Sequence, residues 1–288
     1  MKKIKDKVFD EERALYGIKK TLVKNCKFDG PADGESAFKE CSKIAAESCY
    51  FNLRYPFWHV TDGAIRDSHM TENCRAALWY DKNILIENTK MHGIKALREC
   101  SDIVINNCDV ISPEFLWRCK RIDIKNTSMV SEYPFFESKD ITIDNLTMKG
   151  KYSFQYVKNM TITNSVLDTK DAFWHSKNVT VVDSVVKGEY LGWYAKNLKF
   201  VRCKIIGTQP LCYCKDLILE DCVMEDTDLS FERSDVVATV KGSILGVKNP
   251  KSGSITCDEI TDLLIEEAIV DKSKTQINCK KIVKKVIA

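Results

Sequence analysis

The chain has 288 residues and carries 44 Lys plus Arg against 41 Asp plus Glu, a formal net charge of +3. That balance argues against a dedicated nucleic-acid binder and against an acidic tail protein. No stretch approaches the roughly 18 apolar residues of a membrane span. The basic start, Met1 to Lys7, has no apolar run of signal-peptide length, so a soluble, cytoplasmic protein is expected.

The 13 cysteines are odd in number, in a long chain without a secretion signal, and so read as reduced thiols. No zinc-type C-x-x-C pair occurs, and Cys212-Tyr213-Cys214 has the wrong spacing for one. Neither a metal nor a cofactor is expected.

In chain order, residues 1–19 read as an N-terminal cap, with Val8 to Tyr16 a short strand or helix. A repeat begins at Lys20, and a loop with Gly30, Pro31 and Gly34 follows. The next anchors are Lys43 and Asp62. From Asn83 the anchors are Asp102, Arg121, Asp140, Asn159, Asn178, Asn197, Asp216 and Asp235, each 19 residues after the last. Residues 20–235 thus form regular coils. Residues 236–288, with a lengthened coil at Lys248 to Gly253 and weaker anchors at Asp262 and Lys281, form degenerate ones. A strict period means a solenoid, because each coil buries its apolar face only against its neighbours. Residues 1–288 are therefore read as a single domain of about fourteen coils.

Reading down the columns gives the strands. One and three residues after the anchor stand Ile103 and Ile105, Ile122 and Ile124, Val179 and Val181. This β-branched, period-two pattern is a strand with one buried face. Eight after, and five before, lie further apolar columns. Five after the anchor, Asn88, Asn107, Asn126, Asn145 and Asn164 follow in succession. Asn tolerates the left-handed backbone of a sharp bend, and stacked amides bond to each other. This ladder is expected to be buried. Ten cysteines fall six after or two before the anchor, as small inward residues at bends. Asp81 interrupts the second of these columns.

Leucine-rich repeats have longer periods with dominant Leu, and an 18-residue hexapeptide coil needs a six-residue subperiod that is missing. The fold expected is an all-β, single-stranded, right-handed parallel β-helix. Glu12 to Tyr16, Phe28-Asp29-Gly30, Asp33 to Ala37 and the Asn and Cys ladders carry a resemblance: with them the chain resembles the pectin-lyase-like superfamily, and more narrowly a bacterial family of about this length whose function is unassigned. It implies a fold and no activity.

Three outer columns could carry chemistry. Four before the anchor stand all five tryptophans, Trp58, Trp79, Trp117, Trp174 and Trp193. Exposed aromatic faces suit sugar rings, but they also stack on each other. Three before stand Glu99, Arg118, Glu137, Tyr156 and His175, the acid, base and cation that a polysaccharide lyase or hydrolase needs, or equally a surface ion-pair ladder. The adjacent aspartates and Gly-His-Gly of polygalacturonase-type enzymes are missing; Met91-His92-Gly93 stands instead. One before, Lys120, Lys139, Lys158, Lys177, Lys196 and Lys215 succeed one another. Like charges at strand spacing repel and suit a polyanion, or simply keep the surface solvated. The reading is an extended, acidic oligo- or polysaccharide bound along a Trp/Lys face, including Lys139, Lys158 and Lys177. A carbohydrate-active enzyme competes with it, as does an assembly protein forming homo-oligomers through the Trp face.

Overall fold

The computed structural model describes residues 1–30 and 35–288. Pro31 to Gly34, which include part of the expected loop and of the motif Asp33 to Ala37, lie outside the described residues. The chain divides into two compact units, Met1–Met148 and Lys149–Ala288. Each is a parallel β-solenoid, and the described residues make about 15 turns at about 19-residue spacing. One short 3-10 turn, Lys272–Lys274, is the exception to all-β structure among the described residues.

The predicted strands pair in the predicted register. In the first unit, Ile84 faces Ile103 and Ile86 faces Ile105, and these face Ile122 and Ile124 in turn. The strand Lys2–Lys5 already pairs with Thr21 to Lys24. In the second unit, Met160, Val179 and Leu198 stack in one buried column, and Ile162, Val181 and Phe200 in the next. A second strand in each turn brings Leu167, Val186 and Ile205 into line. Identical positions stack directly, so large rings form internal columns. Phe28 lies between Phe9 and Phe51 at centroid distances of 5.0 and 4.9 Å, and Phe173 stacks on Phe154 at 5.0 Å.

The bends follow one recipe. In the turn around Asn178, left-handed backbone occurs at Asp171, Phe173, His175, Asn178 and Asp183, with φ of 52, 63, 54, 55 and 50°. Such a conformation costs a non-glycine residue about 1–2 kcal/mol. Hydrogen bonds between turns offset it. Asp171, His175 and Asp183 donate their N–H groups to Glu189, Trp193 and Val201, and Phe173 donates back to Ser153. Ser176 N–H returns to Phe173 C=O at 3.1 Å, which makes Phe173 to Ser176 a type II turn with His175 in its left-handed position. The backbone ladder therefore continues through the corners.

The asparagine ladder lies at left-handed bends, with φ of 48, 53, 50, 57 and 52° from Asn88 to Asn164, but it is exposed rather than buried. A left-handed residue breaks the in/out alternation, so positions four and five after the anchor both point outward. Asn107 donates to Asn88 at 2.7 Å and Asn145 to Asn126 at 2.9 Å, in solvent. The cost of losing Asn126 is thus conformational. Asn126→Gly should leave the unfolding free energy within about 0.5 kcal/mol of the parent, and Asn126→Ala should lower it by about 1 kcal/mol. Equal losses in denaturant titrations of both variants would refute this.

Twelve of the cysteines are buried and free, and Cys279 is half-buried. Typical thiols donate to carbonyl groups of their own and the preceding turn, as Cys108 does to Asn106 and Ile86. Burial pushes Cys41 and Cys49 up to about 11, which leaves them inert.

Candidate functional site

The tryptophan column is half-buried, and its polar atoms are used within the fold. The indole N–H of Trp79, Trp117, Trp174 and Trp193 donates to the carbonyl of Lys95, Tyr133, Tyr190 and Gln209, at 2.6 to 2.8 Å. Each bond ties one turn to the next. Gln155, in the same column, does the same to Asp171 at 3.2 Å. Trp58 Nε1 is buried without a partner among the described residues. Ring faces are occupied too. Trp174 and Trp193 stack at 5.4 Å and 5°. Arg98 lies between Trp79 and Trp117, at 4.7 and 4.8 Å from their centroids, and Lys39 lies over Trp58. The expected outward-facing indole platform is therefore replaced by inter-turn ties whose ring faces mostly meet other side chains.

Of the five residues in the mixed column, three lie in the first unit. Arg118 Nε donates to Glu137 at 2.7 Å in an exposed pair, and Glu137, then Glu99, hold the guanidinium above its ordinary value. In the second unit the column becomes a continuous ring stack. Tyr156, His175, Tyr194 and Tyr213 follow at 4.9, 5.0 and 4.9 Å, with interplanar angles of 11, 7 and 12°. Tyr156, His175 and Tyr194 are exposed. His175 and Tyr194 each have a neighbour on both faces, so they offer solvent their edges and polar atoms. Burial, then Glu232, raises the Tyr213 phenol above its ordinary value.

The lysine column lies beside this stack. Val157, Ser176, Ala195 and Cys214 between the two columns are buried, so positions one and three before the anchor both point outward. Lys158, Lys177, Lys196 and Lys215 stand opposite one another on successive strands and are exposed. Among the described residues, none of the four has a carboxylate within ion-pair distance. Other cations of this unit do: Lys199 meets Glu220 at 2.6 Å, Lys204 meets Glu225 at 2.6 Å, and Arg202 meets Asp183 at 2.7 Å. Lys139, in the same column, belongs to the first unit. On the far side of the lysines, Asn178 donates to Asn159 at 3.0 Å and Asn197 to Asn178 at 3.1 Å. The face thus carries a ring ladder, a row of ammonium groups and an amide ladder.

The first unit holds a concavity that the sequence columns did not single out. It has a volume of about 700 Å³ and is lined by Lys27, Tyr50, His69 and Lys90, among others. These residues face one another on successive strands, seven after the anchor, and reading that column would have found them. His69 packs edge-on to Tyr50 and to His92, at 5.6 and 5.8 Å. Burial, then His92 and Lys90, lowers His69 below the usual imidazole value. His92 Nε2 meets Asp109 Oδ2 at 2.8 Å. Burial would raise the Asp109 carboxyl, but hydrogen bonds from His92 and Ser128 outweigh it and hold it below its ordinary value. No group of three His, Cys, Asp or Glu side chains is placed to hold a metal ion among the described residues.

Asp81 is fully buried. Its Oδ1 accepts the Val60 N–H at 2.8 Å, and Oδ2 has no partner among the described residues. Burial pushes its carboxyl well above the ordinary value, against that single backbone bond.

Stacked parallel turns, a staple column and an outer face of repeated polar groups define a parallel β-solenoid protein. The chain belongs to the family described as "Protein of unknown function (DUF3737)", whose model matches residues 2–278. A comparison with curated proteins returns no match. Among solved structures, the A-module of the Azotobacter vinelandii mannuronan C-5 epimerase AlgE6 is similar over 94% of this chain and 91% of that chain, at 11% identity and a TM-score of 0.42. The surface adhesin PfbA of Streptococcus pneumoniae is similar over 99% of this chain and 83% of that chain, at 7% identity and a TM-score of 0.41. QnrB1, a plasmid-mediated fluoroquinolone resistance protein, is similar over 57% of this chain and 81% of that chain, at 14% identity and a TM-score of 0.28.

Proposed function

We propose that the second unit binds an extended acidic glycan along the face formed by Lys158, Lys177, Lys196 and Lys215 and the Tyr156–His175–Tyr194–Tyr213 stack. The observation that supports this reading is the row of four exposed lysines in register, none in an ion pair among the described residues although Asp235 feels the charge of Lys215, in a unit whose other cations are commonly paired. Adjacent ammonium groups repel, and a polymer with regularly spaced carboxylates relieves that repulsion over several rungs at once. Phenol, imidazole and amide groups on either side supply hydrogen bonds to hydroxyls. The indoles serve this reading indirectly, by fixing the spacing between turns.

Four exposed ion contacts of up to about 1 kcal/mol each give roughly 4 kcal/mol, which is millimolar affinity. Calorimetry with polygalacturonate or polymannuronate should show binding at about 50 mM salt that weakens at about 500 mM, because exposed charges are screened. Lys177→Glu with Lys196→Glu should weaken it at least tenfold, a loss of about 1.4 kcal/mol or more, without changing the circular dichroism. Neutral oligosaccharides should bind no better to the parent than to this variant. Absence of any heat with both polyuronates at low salt would end this reading.

A further inference from the structure

Cys257 and Cys279 differ from the other cysteines of the chain. They stand directly opposite each other on the strands Ser252–Ile265 and Thr275–Ile287, and their sulfur atoms are 3.6 Å apart. Cysteines also meet on successive turns at Cys26 and Cys49, Cys100 and Cys119, and Cys203 and Cys222. There both partners are buried, and every thiol donates to a backbone carbonyl. Cys257 instead points at the sulfur of Cys279, whose own thiol donates to the Lys281 and Asp258 carbonyls and which is, among the described residues, the one cysteine that is not buried. Neighbouring parallel strands lie about 4.8 Å apart, inside the Cα separation that a disulfide spans. Small rotations about χ1 of both residues would bring the sulfurs to about 2.05 Å.

We propose that Cys257 and Cys279 are a redox-closing dithiol, which a low-molecular-weight disulfide such as oxidised glutathione converts to an intramolecular disulfide tying Thr275–Ile287 to Ser252–Ile265. Cys279 is the entry point because it alone is reachable. Its thiol gives up a proton to solvent, and the thiolate attacks one sulfur of the small disulfide. That S–S bond breaks, one small thiolate leaves with the electron pair, and a mixed disulfide forms on Cys279. Cys257 then loses its proton, and its sulfur attacks Cys279 Sγ and expels the second small thiolate. Two protein thiols are oxidised to one disulfide, and one external disulfide is reduced to two thiols that take up the two protons. Burial raises Cys257 to about 12, so it does not attack the external disulfide itself, and its attack on the mixed disulfide is driven by proximity, not by thiolate fraction.

The test treats the full chain with oxidised glutathione under native conditions and maps peptides without reduction. The expected product is a linked peptide containing Cys257 and Cys279, lighter by two hydrogens and free of glutathione, while the other cysteines stay unmodified. Limited proteolysis within residues 275–287 should slow by about tenfold in the linked form, since opening of that strand becomes rarer, and a reductant should restore it. Cys257→Ser should stop at a stable glutathione adduct on Cys279, and Cys279→Ser should not react. The proposal is overturned if the parent protein stops at the adduct, if other cysteines react at the same rate, or if linkage leaves proteolysis unchanged. The parent alone decides the matter if either variant fails to fold.

Discussion

Replacing Phe173 with alanine should lower the stability of the second unit by about 3–5 kcal/mol, the range for removing a buried ring. Phe173 is fully buried, stacks on Phe154 at 5.0 Å, and meets Phe200 edge-on at 6.2 Å. Each ring in such a column covers its neighbours on successive turns, so its loss leaves a void that the backbone ladder keeps from collapsing. Phe173 also holds a φ of 63°, so part of its stabilisation is spent on a conformation that favours glycine. Phe173→Gly should therefore be no worse than Phe173→Ala, although it removes more atoms, because glycine recovers about 1 kcal/mol at a left-handed position. The next turn already places Gly192 there, with φ of 75°. A Cβ at that position would lie 2.8 Å from Leu211 Cδ2. Denaturant midpoints rank the two variants. A much less stable glycine variant would show that the bend is not strained.

Replacing Asp81 with serine should stabilise the first unit, and the gain should grow with pH. The column already contains the solution elsewhere: Ser138 accepts the Cys119 N–H at 2.8 Å and donates to the Leu116 carbonyl at 2.6 Å. Serine at position 81 can accept the Val60 N–H in the same way and leaves no orphan oxygen. Removing one unsatisfied buried polar atom gains about 1–3 kcal/mol, less whatever the smaller side chain leaves unfilled. The rest depends on ionisation. Burial raises the folded-state carboxyl well above 3.8, the ordinary aspartate value. Between 3.8 and the folded value the native state holds a proton that the unfolded chain has released, so native stability falls as pH rises through that window. Serine removes this dependence. The difference between variant and parent should be smallest near pH 4 and should widen as pH rises above it. A parallel pair of stability–pH curves would mean that Asp81 finds a partner for its second oxygen.

The orientation of the outer columns was only partly legible. Counting by two from the anchor correctly places Ile103 and Ile105 inside, and the small residues two before the anchor inside as well. It fails wherever a left-handed residue intervenes, because such a residue adds an outward position without advancing the alternation. For that reason the asparagine ladder, read as buried, is exposed. The indoles were legible as a column but not as ties, because the carbonyl each one meets lies sixteen residues on, in the next turn. The Tyr50, His69 and Lys90 column escaped notice because its residue types differ at every turn. It is recognised only when strand pairing stacks them.

By itself the sequence determined the period, the strands, the parallel solenoid and the residues sharing each column, since a repeat of fixed length forces equivalent positions into register. Only the tertiary structure decided how each column is used. Trp174 and Trp193 turn their faces to each other, Arg98 fills a gap between two indoles, and Lys158, Lys177, Lys196 and Lys215 line up in register. The physical reason is that rotamers, partners and solvent access are set by the residue one turn above and one turn below, and those neighbours are fixed only once the turns are stacked.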